Sequence, residues 1–236
     1  MDHLALLSEL KQLGTEQNQK IYKKHGVKGE LYGVSFANLE KLKKKIKINH
    51  QLAEKLWESA NHDARVLATM IADPKQASDS LLESWLSDID NPPLSDLFST
   101  FASKTSFAEE KMEKWISLDS EWVSHVGWNL LARLATSEKN LADEFFEKYL
   151  EIIEKEIHSK QNFVKQVMNN TLIAIGVINS NLEEKALAVA AKIGKVEVDH
   201  GETGCKTPDA AQYIKKTIAY REQKAAKVKE KASKAN

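Results

Sequence analysis

The sequence predicts an all-α protein, an α-solenoid in which about twelve helices stack in consecutive pairs and form a concave face. Glycine (9 of 236 residues) and proline (4) are scarce, which argues against a β fold with many tight turns. Apolar residues recur at helical spacing along most of the chain, and capping residues precede those stripes. Because 42% of the residues are hydrophobic, the chain can bury a sizeable core.

The clearest apolar stripe lies near the middle of the chain. Leu94, Leu97, Phe98 and Phe101 follow the i, i+3, i+4, i+7 spacing of one helix face, and residues 123–134 and 164–175 repeat it. Helices are predicted over residues 3–13, 16–25, 36–47, 51–59, 63–73, 79–88, 93–102, 106–116, 120–135, 138–158, 162–178 and 182–193. A last helix is predicted from Pro208.

Several residues have the chemistry of helix ends. Asn91 precedes two prolines, which are favoured in the first turn of a helix. Further N-caps are predicted at Asp119, Ser137, Asn181 and Thr207-Pro208, and C-terminal stops at Gly26 and Gly194.

The predicted helices group into pairs that start near residues 35, 61, 91, 119 and 161. The irregular spacing suits a degenerate HEAT-like array, whose units average about 40 residues. We therefore expect a single domain over residues 1–221. Residues 222–236, mostly Lys and Ala, are expected to form a basic, disordered tail.

The 34 basic and 34 acidic residues balance in number but are segregated along the chain. Residues 20–48 carry a net charge of +7, residues 51–160 a net charge of −10, and residues 206–236 a net charge of +6. Basic clusters of this kind can follow a phosphate backbone, although solvated helix faces are the alternative. With only three arginines, sequence-specific reading of DNA bases is not expected.

Several function classes are not expected. No apolar run reaches membrane-spanning length, no signal peptide is recognised, and the single cysteine fits a reducing cytoplasm. Asp199, His200 and Cys205 are not interpreted as a zinc site, because a structural zinc needs four ligands. We therefore expect a cytoplasmic protein without a metal, a cofactor or a membrane partner.

Three segments resemble the DNA alkylation repair family, whose founders are HEAT-like-repeat DNA glycosylases that excise alkylated purines. They are residues 31–44 (LYGVSFANLEKLKK), 61–68 (NHDARVLA) and 114–123 (KWISLDSEWV). Residues 198–210 (VDHGETGCKTPDA) are similar to a block of a divergent branch of this family.

The resemblance implies a site with four key positions. In active members of the family, a carboxylate stabilises positive charge on the sugar, two tryptophans cradle that sugar and an arginine holds the DNA backbone. Carried onto this chain, the carboxylate falls on Asp96, the tryptophans on Pro92 and Asn170, and the arginine on His125. Proline and asparagine cannot attract a cation as an aromatic face does, so the resemblance implies weak or absent base excision.

Other candidates for the DNA-facing surface have structural alternatives. Trp122 and Trp128 could stack on a base, or fill the space between helices. A polar ridge, which either lines a groove or is an ordinary solvated face, is formed by Gln166, Asn169 and Asn170. Arg65 is a further candidate for the DNA-facing surface. Asp96 itself could be an acidic residue favoured by the helix dipole.

The sequence leaves three functions open. The first is a DNA-binding relative of the glycosylases that contacts duplex DNA through its backbone and has little or no excision activity. The second is an active glycosylase that uses Asp96. The third is a scaffold that binds another protein and not DNA.

Overall fold

The computed structural model describes residues 2–137 and 141–234, and within them the chain is helical with no β-strand. The thirteen α-helices of these residues are α1 (His3–Leu13), α2 (Glu16–Lys24), α3 (Phe36–Ile46), α4 (His50–Glu58), α5 (His62–Ile71), α6 (Asp79–Ser87), α7 (Pro92–Ala102), α8 (Ala108–Ile116), α9 (Glu121–Ala135), α10 (Asp143–Glu156), α11 (Asn162–Gly176), α12 (Ser180–Ile193) and α13 (Ala210–Lys234). A 3₁₀ turn at Ile157–Ser159 follows α10. The predicted all-α class is confirmed.

The chain divides into two compact units, which are described separately. The N-terminal unit comprises Met1–Leu131 and His200–Cys205, and the C-terminal unit comprises Ala132–Asp199 and Lys206–Asn236. The prediction of a single domain over residues 1–221 stays a prediction.

The start of α7 and the end of α12 carry the capping residues that the sequence predicts. Asn91 caps α7, since its side-chain oxygen accepts a hydrogen bond from the Leu94 amide at 3.0 Å. At the other end of a helix, Gly194 has a φ of +63° and terminates α12, as predicted.

Two predicted N-caps, Asn181 and Thr207-Pro208, were wrong, and the segment that Ser137 was predicted to cap starts in residues 138–140, outside the described residues. Asn179 caps α12 in place of Asn181, whose amide instead donates to Asp143 at 2.7 Å. The Ser137 hydroxyl donates to the Leu134 carbonyl at the end of α9 at 2.8 Å. Asp209, and not Thr207-Pro208, caps α13 by accepting a hydrogen bond from Gln212 at 2.9 Å.

Two helix bounds also differ from prediction. The helix α10 begins at Asp143 rather than at 138, since Ala142 is extended; residues 138–140 lie outside the described residues. The helix α13 continues to Lys234 through a stretch in which a disordered tail was predicted. Lys, Ala, Glu and Gln are strong helix formers, which accounts for the helical conformation of residues 222–228, whose side chains are exposed. No helix of the described ranges is long and apolar enough to cross a membrane.

A column of aromatic rings forms the core of the N-terminal unit. Trp57 of α4 stacks on Trp85 of α6 with ring centroids 4.2 Å apart and planes 1° from parallel. Phe101 of α7 lies 5.5 Å from Trp85, and Phe98 lies 6.0 Å from Trp115 of α8. Buried aromatic rings contribute large apolar areas, so this column ties the successive helix pairs together.

A glycine permits the closest contact between α8 and α9. A Cβ atom on Gly127 would lie 2.6 Å from the backbone nitrogen of Ile116. Any larger residue would therefore push α9 away from the end of α8, which fixes the position of the α9 side chains described below.

A buried carboxylate organises the turn before α3. The Asp63 side chain, 1% exposed, accepts hydrogen bonds from the amides of Tyr32 (2.6 Å), Gly33 (3.0 Å) and Val34 (2.8 Å). Gly33 has a φ of +79°, a conformation that glycine adopts without strain. Asp63 thus joins the start of α5 to the turn at residues 32–34.

The C-terminal unit stacks alternate helices on one another. The helix α10 packs on α12, and α11 packs on both α12 and α13. Glu147 pairs with Lys185, and Glu154 pairs with Lys192 at 2.8 Å, so α10 and α12 are also linked at their surface. Packing of each helix on the one after next is the pattern expected of stacked helix pairs.

Candidate functional site

Asp96 lies on the exposed side of α7, one turn after the helix begins. Its Oδ1 accepts a hydrogen bond from the Asn129 amide of α9 at 2.9 Å. The candidate carboxylate is therefore not a freely rotating surface group, because an amide of the neighbouring helix orients it.

A buried polar pair lies behind Asn129. The second contact of its amide nitrogen is Nδ1 of His125, at 3.2 Å, and the Ser95 hydroxyl lies 2.6 Å from the same ring nitrogen. Because an amide and a hydroxyl both face Nδ1, the favoured tautomer accepts at Nδ1 and carries its proton on Nε2. Ser95, His125, Asn129 and Asp96 form a continuous chain of polar contacts between α7 and α9, here called the Asp96 network.

Burial keeps the histidine of this network neutral. His125 is 3% exposed, and desolvation lowers its pKa to about 4. At neutral pH the ring is an uncharged acceptor that holds Asn129 in place. Its predicted role at the arginine position was a phosphate contact, but the buried, neutral ring is not placed to make one.

The two candidate tryptophans of α9 lie in different environments. The Trp128 ring is fully buried, so it belongs to the core and is not available to a ligand. Trp122 is half-buried, and its ring packs edge-on against His125 with centroids 5.9 Å apart. Trp122 is the aromatic side chain that borders the Asp96 network.

Pro92 occupies the first position of α7 and is half-buried. The turn after α2 lies against it, since a Cβ atom added to Gly26 would lie 3.6 Å from Pro92 Cδ. Pro92 therefore serves the start of the helix, and no aromatic ring stands at this position.

Arg65 has partners within the N-terminal unit. Its guanidinium pairs with Asp88 at 2.9 Å and lies 5.3 Å from the centre of the Trp57 ring, while Nε donates to the Trp57 carbonyl. Asp88 also accepts from Trp57 Nε1 at 2.8 Å. These contacts assign Arg65 to the junction of α4, α5 and α6, and DNA contact by this side chain stays a prediction.

The polar ridge of α11 lies in the C-terminal unit. Asn169 is buried and donates to the Pro208 carbonyl at 3.0 Å, so it holds the segment before α13. Gln166 is half-buried and Asn170 is exposed. Of the predicted ridge, Asn170 is the residue that faces solvent.

Sequence reasoning did not assign roles to Ser95 and Asn129. The signal was available for Asn129, which lies four residues after His125 and hence on the same helix face. Nothing local indicates that Ser95 of α7 would reach His125 of α9. Within the described ranges, no three His, Cys, Asp or Glu side chains are grouped so as to hold a metal ion.

The family model of the DNA alkylation repair enzymes matches residues 6–228. The chain belongs to the DNA alkylation repair family. The uncharacterized proteins Lin0241 of Listeria innocua and Lmo0209 of Listeria monocytogenes are both 30% identical over 216 residues, which is 89% of this chain and 94% of each relative.

A solved structure has the same fold. It superposes with a TM-score of 0.86 at 30% identity, covering 93% of this chain and 95% of the other. That protein represents a family described as related to the HEAT-like repeat DNA glycosylases, with affinity for branched DNA structures. The predicted HEAT-like architecture and family are confirmed.

Proposed function

We propose that this protein binds branched DNA through backbone contacts and has little or no base-excision activity. The observation that carries the proposal is the similarity, over almost the whole chain, to a structure described as having affinity for branched DNA. Membership of the DNA alkylation repair family supports it, since the family acts on DNA.

An exposed cationic surface on α3 and at its C-terminal end supports the proposal. Lys41, Lys44 and Lys47 are exposed, and none of the three has an ion-pair partner among the described residues. The neighbouring Lys43 and Lys45 are engaged with Glu40 and Glu9, each at 3.2 Å. We call Lys41, Lys44 and Lys47 the α3 lysine face; such cations bind phosphates without reading sequence.

The Asp96 network supports a limited catalytic role. Asp96 is exposed and oriented, but Pro92 and Asn170 stand where the resemblance requires tryptophans. Transition-state stabilisation depends on holding the sugar against the carboxylate, so one carboxylate without the aromatic cradle loses most of its effect.

The test measures binding to a four-way junction, a matched duplex and a single strand by fluorescence anisotropy at several salt concentrations. We expect the junction to bind most tightly, with affinity that falls as salt rises. The variant Lys41→Glu/Lys44→Glu should weaken junction binding at least about tenfold, because it reverses two phosphate contacts.

A charge-matched control is Lys55→Glu/Lys75→Glu, which alters two exposed lysines of the N-terminal unit outside the α3 lysine face. Equal losses in both variants would show that only net charge matters. No measurable DNA binding by the wild type would contradict the proposal and favour the protein-interaction scaffold.

A further inference from the structure

An apolar groove lies in the N-terminal unit between α3, the end of α5 and α7. It has a volume of about 430 Å³, and its lining includes Phe36, Ile48, Met70, Pro74 and Leu97. This volume falls in the range of sites that hold small organic groups, about 300–1,000 Å³.

Two of the lining side chains are unusually exposed for their type. Phe36 is 52% exposed and Ile48 is 66% exposed, so a flat apolar surface faces solvent at the mouth of the groove. An exposed aromatic ring beside an aliphatic side chain is a platform on which a planar group can stack.

The rim of the groove is cationic. Lys104 lines it and has no ion-pair partner among the described residues, whereas Lys43, which also lines it, is paired with Glu40 at 3.2 Å. Beyond the rim, the α3 lysine face adds three further positive charges. A ligand with a planar apolar part and a negative charge matches the apolar lining of the groove and its cationic rim.

The groove also lies next to the Asp96 network along α7. Thr100 lines the groove and its hydroxyl donates to the Asp96 carbonyl at 2.9 Å, one helical turn away. Lys44 follows the groove residue Lys43 in the chain and Lys47 precedes the groove residue Ile48, so a nucleic acid held by Lys44 and Lys47 would be close to the mouth of the groove.

We propose that this groove binds one unpaired nucleotide of a DNA branch point, with the base stacked on Phe36 and Ile48 and the adjoining phosphates on Lys104 and the α3 lysine face. The inference rests on the proposed function, which brings branched DNA to this unit. An apolar peptide would contact the apolar lining but would bring no negative charge to the cationic rim. A nucleotide supplies both a planar base for the lining and a phosphate for the rim.

The experiment uses the full chain and three junctions of equal length. One is fully paired, one carries a single unpaired adenosine at the branch, and one carries an abasic nucleotide in that place. Wild type should bind the unpaired-adenosine junction about five- to tenfold more tightly than the other two, which is about 1–1.4 kcal/mol and lies at the low end of the contribution from stacking one base.

The variant Phe36→Ala/Ile48→Ser should lose that preference and keep its affinity for the fully paired junction. Both side chains are exposed, so the fold should tolerate the change. Leu118→Ala, an exposed apolar residue of the same unit outside the groove, is the matched control and should retain the preference. In wild type, the methyl NMR signals of Ile48 should shift with the unpaired-adenosine junction only.

Each outcome decides a different point. Equal affinity of wild type for all three junctions, or a preference that survives in Phe36→Ala/Ile48→Ser, overturns the groove proposal and leaves branched-DNA binding intact. Absence of binding to every junction overturns the proposed function and the groove proposal together. Displacement of DNA by an apolar peptide that shifts the same Ile48 signals, without any adenosine preference, assigns the groove to a peptide and also overturns the proposal.

Discussion

Asp63 and Asp96 are two aspartates near the starts of two helices that pack together, α5 and α7, yet the fold uses them in opposite ways. Asp63 is buried and accepts three backbone amide hydrogen bonds from the turn at residues 32–34. Asp96 is exposed and is held by a side-chain amide of Asn129.

The difference separates a structural carboxylate from a candidate functional one. A buried carboxylate that satisfies several backbone amides is costly to replace, because those amides lose their acceptor in a place without water. An exposed carboxylate contributes less to stability, because water can replace a lost surface contact.

The largest effect on stability is expected from substitution of Asp63. Asp63→Asn places an NH₂ group or a weaker acceptor against backbone donors, and should lower the free energy of unfolding by about 4 kcal/mol. Urea denaturation measures the loss, and hydrogen exchange should show faster exchange of the Tyr32, Gly33 and Val34 amides. A loss below about 1 kcal/mol would contradict the structural role.

The next effect concerns the pH dependence of the Asp96 network. The pKa of His125 in the folded protein is about 4 because of burial, whereas an unfolded histidine has a pKa of about 6.5. As the pH falls below 6.5, the unfolded state therefore binds a proton before the folded state does, and stability falls towards pH 4. This histidine should contribute up to about 2.5 kcal/mol of that loss by pH 4.5.

His125→Gln should flatten the profile of unfolding free energy against pH, measured by urea denaturation from pH 7 to 4.5. His62, whose pKa burial also lowers, remains in the variant and keeps part of the slope. The exposed His25→Gln is the control and should follow wild type. If His125→Gln kept the wild-type slope of unfolding free energy against pH, this would contradict the assignment of His125 as a buried neutral group.

Asp96→Asn should change the unfolding free energy by less than about 0.5 kcal/mol, in contrast to Asp63→Asn. The same variant tests catalysis in an assay for release of 7-methylguanine or 3-methyladenine from methylated duplex DNA. We expect no more than slow release by wild type. Robust release that disappears in Asp96→Asn would establish an active glycosylase and contradict the proposed lack of excision.

The smallest effect is expected at the chain end. Removal of residues 222–236 should leave thermal stability almost unchanged, since the described side chains 221–228 are exposed. If this basic end of α13 contacts DNA, the truncation should flatten the salt dependence of binding. A large drop in melting temperature would show that the segment packs.

Much of the fold could be predicted from local patterns. The stripe at Leu94, Leu97, Phe98 and Phe101 and the cap at Asn91 placed α7 within one residue of its observed start. The cap of α12 was predicted at Asn181 and is Asn179: both asparagine amides donate to Asp143 of α10, and the Asn179 oxygen accepts from the Leu182 amide at 2.9 Å. The helix α13 extends to Lys234 through a segment rich in strong helix formers, and the predicted disorder of residues 222–236 stays a prediction.

The sequence by itself determined the all-α class, the family and the candidacy of Asp96, because helical periodicity, capping and motif resemblance are properties of neighbouring residues. Tertiary structure alone decided the roles of the side chains. It buried Trp128 and His125, assigned Asp63 to a turn thirty residues away in the chain, and brought Ser95 and Asn129 to either side of His125. The physical reason is that the charge state and contacts of a polar group depend on burial and on partners from other helices, and no local pattern specifies those partners.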